Sequence, residues 1–116
     1  MTRADCLFCR IANRDLEANV VGETESLLAF RDMNPQAPTH ILIIPKEHIP
    51  TLTDLTESHT ALMGGALHFI NRLAGQYQLS KGGYRVVINC GPQAGQSVFH
   101  LHFHLLGGRQ LSWPPG

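Results

Sequence analysis

No run of apolar residues in this chain approaches the roughly 20 needed to cross a bilayer, which argues against a membrane-spanning helix. An excess of one charge is missing as well: nine basic residues balance nine acidic ones, and the formal net charge is zero with the histidines neutral. Domains that grip a nucleic-acid backbone or an anionic membrane surface carry a basic excess, so neither partner is expected. Cysteine is scarce and odd in number, three in 116 residues, which argues against a disulfide framework. The opening MTRADCLFCR has no apolar signal core, so the expected location is cytoplasmic. Repeats, low-complexity segments and linkers are also missing. Charged residues make up 16% against 43% hydrophobic, enough apolar material for one core, so one domain over residues 1–116 is expected.

Histidine is what the chain has in excess: seven in all, three of them on a two-residue beat in SVFHLHFHLLGG (97–108). Side chains two apart on a strand share a face. The pattern therefore predicts a half-buried strand with His100, His102 and His104 on one face and Phe99, Leu101, Phe103 and Leu105 in a core. Elsewhere CLFCRIANRD (6–15) reads as a short helix or turn. NVVGE (19–23) and SLLAFRD (26–32) read as strands joined at a tight turn, and NPQAPTH (34–40) as a rigid loop. HILIIP (40–45) reads as a buried strand, residues 52–78 as the segment holding the main helix, and GYRVVINCG (83–91) as a further strand. The expected fold class is α+β: a five-stranded, mainly antiparallel sheet with one long and one short helix.

Strand residues two apart lie about 6.5 Å from each other and those four apart about 13 Å, while zinc holds nitrogens at about 2.0–2.1 Å. One ion therefore does not collect all three histidines of a straight strand. A solvent-facing polar face is one alternative. Division of labour is the other, with His102 and His104 serving a small anionic centre and His100 serving something nearby. Imidazole acts as nucleophile, acid or base near neutrality, which suits chemistry at phosphorus. The preceding NCGPQAGQS adds Gly91 and Gly95, which permit turns aiming backbone N–H groups at an anion, and Asn89, Gln96 and Ser97 as hydrogen-bond donors to phosphoryl oxygens.

HLHFHLL (100–106) matches the signature His-φ-His-φ-His-φ-φ, with φ hydrophobic, and the chain is identified as resembling the histidine triad superfamily. RDMNPQAPTHILIIPKEHI (31–49), GYRVVIN (83–89), GQSVFHLHFHLLGGRQ (95–110) and WPPG (113–116) extend the resemblance to its nucleotide-binding branch, the purine nucleoside phosphoramidases. The resemblance implies a symmetric homodimer that hydrolyses purine nucleoside 5′-phosphoramidates, releasing AMP or GMP through a nucleotidyl-histidine. His102 would be the nucleophile and His104 the group polarising the phosphoryl. Ser97 would assist the leaving amine, and Asn89, Gly95 and Gln96 would hold the phosphate and ribose. Asp32 would grip the ribose hydroxyls. Met33, Phe8, Leu28 and Ile43 would form the purine slot, and His40 would tune the triad from behind. Trp113, the only tryptophan, would reach toward the partner's site from the SWPPG tail. Two other readings stand beside it: a dinucleoside polyphosphate hydrolase, and a nucleotide-binding or scaffold protein with incidental hydrolysis.

Cys6 and Cys9 have the spacing at which two thiolates bind one zinc, but a structural site needs four ligands. His48 follows a buried strand and His100 opens the triad segment. If those strands are neighbours, as the resemblance implies, the four residues make a Cys₂His₂ zinc site clipping the N-terminus to the catalytic segment. Two small core residues, or a redox pair, are the alternatives. His59 and His68 read as surface or rim residues, Cys90 as a buried inert thiol, and Lys46 as a solvated loop lysine. Gly64 and Gly65 read as either a tolerated irregularity or a site of close backbone approach.

Overall fold

The seven-residue stretch THILIIP, wholly apolar from Ile41 onward, sits at the centre of the sheet because both its faces are covered. The structure, a computed structural model, describes residues 3–116. Helix α1 spans Leu7–Ala12, and strands β1 (Val20–Glu23), β2 (Leu27–Arg31) and β3 (Thr39–Pro45) follow. Helix α2 covers Thr60–Gln76, and strands β4 (Tyr84–Val87) and β5 (Phe103–Gly107) complete the chain. Single 3₁₀ turns lie at Leu52–Asp54, Glu57–His59 and Pro92–Ala94. The five strands form one sheet in the order β1-β2-β3-β5-β4, every pair antiparallel. The α+β class and the five-stranded antiparallel sheet match the expectation.

Side-chain alternation separates two cores. Leu27, Ala29, Ile41, Ile43, Phe103 and Leu105 face α2, meeting its Ala66, Phe69, Ile70 and Leu73. Leu28, Phe30, Leu42 and Ile44 face the other way and meet Phe8, Cys9 and Ile11 of α1. A strand buried on both sides reads as a continuous apolar run, which accounts for the lack of alternation in β2 and β3. Edge strand β4 alternates between exposed and half-buried residues. Among the described residues no helix is long and apolar enough to cross a membrane.

The histidine strand is shorter than its sequence pattern. Regular pairing begins at Phe103, so only His104 of the triad lies within β5. Residues 97–102 turn off the ladder, and the Leu101 N–H instead donates to the Ile49 carbonyl at 2.7 Å. Leu101, Phe103 and Leu105 are buried as expected, but Phe99 is 47% exposed. That bend corrects the straight-strand picture: it frees His100 to point away from the line of His102 and His104. Strand β4 also stops at Val87, which leaves Asn89 in the loop that follows.

Candidate active site and metal centre

His102 is 7% exposed, and its Nδ1–H donates to the His100 carbonyl at 2.7 Å. A carbonyl only accepts, so the proton is fixed on Nδ1 and the Nε2 lone pair is left free. The Phe8 ring meets the imidazole edge-on, with centroids 5.1 Å apart at 89°. The His104 ring centroid lies 5.0 Å away, with the two rings tilted by 59°.

A second chain of bonds fixes the proton on His104. The Gln36 backbone N–H donates to His40 Nδ1 at 3.0 Å, which places the His40 proton on Nε2. That Nε2 lies 2.9 Å from His104 Nδ1 and donates to it. His104 then carries its own proton on Nε2, available to a phosphoryl oxygen. The pairing follows from register: Leu42 of β3 opposes His104 of β5, and His40 is its diagonal neighbour on the same face. Asp32 Oδ2 sits 3.5 Å from His40 Nε2. Burial lowers the pKa of His40 and lowers that of His104 to about 4, the proximity of His102 and His40 adding to the latter while Asp32 opposes. Both rings are therefore neutral near pH 7.

The loop before the triad is set by Gly91 (φ 86°) and Gly95 (φ 87°), where a β-carbon would be strained. Gln96 is expected to hold phosphate or ribose, but its side-chain amide is directed into the loop itself. Its Oε1 accepts from the Gly91 N–H at 2.8 Å, and its Nε2 donates to the Pro50 and Val98 carbonyls at 2.8 and 3.1 Å. The residue is buried and its amide is fully engaged in shaping the loop. Ser97, next in sequence, is exposed, and Asn89 is half-buried.

A cavity of about 450 Å³ is lined by Phe8, Ile11, Phe30, Asp32, Met33 and Leu42, and Phe8 also lies against His102 of the triad. Met33 is fully exposed. Ile43, expected in the slot, faces α2 on the opposite side of the sheet, since it differs by one residue from Leu42. Leu28 is on the correct face but wholly buried in the core there. Leu42 and Ile11 line the cavity although the sequence reading passed over them. The two-residue period from His40 would have indicated Leu42; nothing in the residues marks the Gln36 backbone N–H.

Four side chains converge around His100. His100 Nδ1 lies 3.3 Å from Cys6 Sγ and 3.5 Å from Cys9 Sγ, and His48 Nδ1 lies 3.3 Å from Cys9 Sγ. All four ligand atoms fall within 4.8 Å of one another. A tetrahedral zinc with its usual bond lengths needs edges of about 3.3–3.8 Å, so the set fits that ion. His100 Nε2–H donates to the Pro45 carbonyl at 2.7 Å, which leaves the Nδ1 lone pair facing the sulfurs. Cys6, Cys9 and His100 are buried and His48 half-buried. Burial raises the Cys9 thiol pKa and lowers that of His48.

A sequence profile described as the HIT domain matches residues 13–111. The chain belongs to the HIT family. It is 52% identical over 112 residues to a HIT-like protein of Synechococcus elongatus, covering 97% of each chain. It is 51% identical over 112 residues to a maize protein named 14 kDa zinc-binding protein, covering 95% of this chain and 87% of that one. A crystal structure of a HIT family hydrolase from Legionella pneumophila superposes with a TM-score of 0.95 at 51% identity, covering 97% of this chain and all of the other. The profile match begins after α1, so the Cys6–Cys9 pair lies outside it.

Other residues of this HIT domain fall outside the site. His68 is exposed on α2, and His59 accepts from the Thr56 N–H with its Nδ1. Lys46 pairs with Glu23 at 2.5 Å rather than with any triad residue. Cys90, expected buried and inert, is half-buried instead, with its thiol 3.3 Å from the Thr53 hydroxyl, a contact that lowers its pKa. A β-carbon on Gly64 or Gly65 would meet nothing within 4 Å, so no close approach within the chain calls for glycine there. Trp113 is 81% exposed and is not among the residues lining the slot; its tail is held by an Arg85 Nη2 bond to the Ser112 carbonyl at 3.0 Å.

Proposed function

We propose that this HIT protein is a hydrolase of purine nucleoside 5′-phosphoramidates. The carrying observation is the complementary tautomers of two adjacent imidazoles: His102 presents a lone pair at Nε2 and His104 a proton at Nε2. His102 Nε2 attacks the α-phosphorus, the P–N bond breaks, and the amine leaves with a proton delivered through the exposed Ser97 hydroxyl. A water then attacks the nucleotidyl-histidine, releasing the nucleoside monophosphate and restoring the His102 lone pair. A covalent intermediate divides one difficult displacement into two easier ones. His104 Nε2–H binds a phosphoryl oxygen throughout, in a site whose donors are already oriented. The cavity beside Phe8, Phe30 and Leu42 takes the purine, and Asp32 in its lining takes the ribose hydroxyls.

Cys6, Cys9, His48 and His100 fit zinc, which when bound supplies a structural cross-link between α1 and the catalytic segment. The name of the maize relative supports that assignment. The active unit is read as a homodimer of single-domain, cytoplasmic chains, with the exposed Trp113 of each reaching the other's site. Steady-state kcat/KM on adenosine 5′-phosphoramidate against diadenosine polyphosphates tests the substrate assignment. A preference for the polyphosphates, or no turnover of either, would overturn it.

A further inference from the structure

We propose that Cys6 and Cys9 form an oxidisable dithiol, and that a hydroperoxide, by converting it to a disulfide, unfastens α1 from the catalytic segment. The metal-release half of this inference rests on the zinc reading above; the thiol chemistry does not. Cys6 is the N-cap of α1, and its sulfur accepts the Cys9 N–H at 3.4 Å, so the two residues occupy one helical turn with their sulfurs facing the same point. Their accessibility differs. Cys6 borders a second cavity, about 400 Å³, which it shares with Arg3, Asp5, His48, Ser97 and Phe99. Cys9 is wholly buried beneath it. A small oxidant therefore reaches Cys6 first, and Cys9 is placed to resolve the product.

The steps balance. The Cys6 thiolate attacks one peroxide oxygen, the O–O bond breaks, and the departing oxygen leaves as water or an alcohol after protonation. Cys6 is then a sulfenic acid. The Cys9 sulfur attacks the Cys6 sulfur, and the displaced hydroxyl takes the Cys9 thiol proton and leaves as a second water. Two electrons pass from the sulfurs to the peroxide. Both sulfur ligands are consumed within α1, and His48 and His100 keep no link to it.

The consequence lies in what else α1 carries. Leu7, Phe8 and Ile11 line the nucleotide cavity, and Phe8 also lies against His102. Cys9, between them in sequence, holds the same helix to His48 and His100. A helix of six residues is far below the length of about 12 that is even marginal alone, so without its cross-link α1 depends on apolar contacts only. Oxidation at one face of the helix thus weakens the slot wall on the other.

The experiment uses full-length protein carrying Cys90→Ser, so that every thiol counted is Cys6 or Cys9. Zinc is measured before and after stoichiometric hydrogen peroxide. Thiols are counted by alkylation, the disulfide is mapped by peptide mass, amide exchange is followed over residues 3–18, and AMP affinity is titrated. The expected result is loss of both thiols to a Cys6–Cys9 disulfide and release of about one zinc per chain. Faster exchange in residues 3–18 and an AMP Kd raised at least threefold should follow, all reversed by dithiothreitol with zinc. Thiols still fully alkylated after peroxide, or a disulfide that leaves exchange and Kd unchanged, overturns the inference. Protein free of zinc as purified refutes the metal reading alone, and the thiol count with AMP affinity still decides the redox site.

Discussion

Lowering the pH should destabilise the protein through His104 in a way that one substitution removes. Burial holds the folded pKa at about 4, against a usual value of 6.5, with His102 and His40 adding to the effect and Asp32 opposing it. A depressed histidine pKa means that the unfolded chain binds the proton first. The stability contribution is complete above about pH 6.5 and declines as pH falls toward 4. Linkage from those two values gives a loss of about 2 kcal/mol between pH 7.5 and 5.0. Urea unfolding followed by far-ultraviolet circular dichroism at both pH values measures it, in wild type and in His104→Gln. Acid effects on the metal ligands act on both proteins alike, so the difference between their pH dependences isolates His104. The variant should lose about 2 kcal/mol less than wild type over the same interval. Equal pH dependences would show that His104 titrates normally in the folded protein, and the neutral His40–His104 pair would be wrong.

Three further outcomes follow from the same structure. Gln96→Glu keeps the acceptor for Gly91 but sets a carboxylate against the Pro50 and Val98 carbonyls; unfolding stability should fall by about 1–3 kcal/mol, and a midpoint equal to wild type would contradict the loop-shaping role. Deleting residues 112–116 should alter the preference among amine leaving groups more than it alters dimerisation; sedimentation of the full chain as a monomer at micromolar concentration would refute the dimer reading. Cys9→Ser should purify with little zinc where wild type carries about one per chain by elemental analysis, with a lower Tm and only modestly slower turnover; a metal-free wild type whose Tm is unchanged by the substitution would reject the centre.

Much of this was legible in the residues because the triad, the proline-bearing loop and the Cys-x-x-Cys spacing are local patterns with few structural solutions. The metal quartet needed one long-range fact, that β3 and β5 are neighbours, and the resemblance supplied it. Other expectations differ from the structure for identifiable reasons. Phe99 keeps the two-residue beat of the triad but precedes the ladder, and the beat carries no record of where pairing stops. Ile43 enters the slot through the resemblance, whereas parity from His40 puts it on the α2 face. Gln96 has the chemistry of a phosphate donor, and only the positions of Gly91, Pro50 and Val98 show that its hydrogen bonds are already taken. The tautomer of His40 depends on a backbone N–H, a group every residue but proline carries, so no side-chain pattern could have indicated it.

The central claim is that His102 Nε2 attacks phosphorus. Its most direct test is kcat of His102→Ala on adenosine 5′-phosphoramidate, with AMP affinity measured on the same preparation. Turnover should fall by about a thousandfold or more while AMP binding stays within about threefold, because the nucleophile acts on the barrier and the slot supplies the binding. Retention of more than about a tenth of wild-type kcat, a barrier change under about 1.4 kcal/mol, would contradict it.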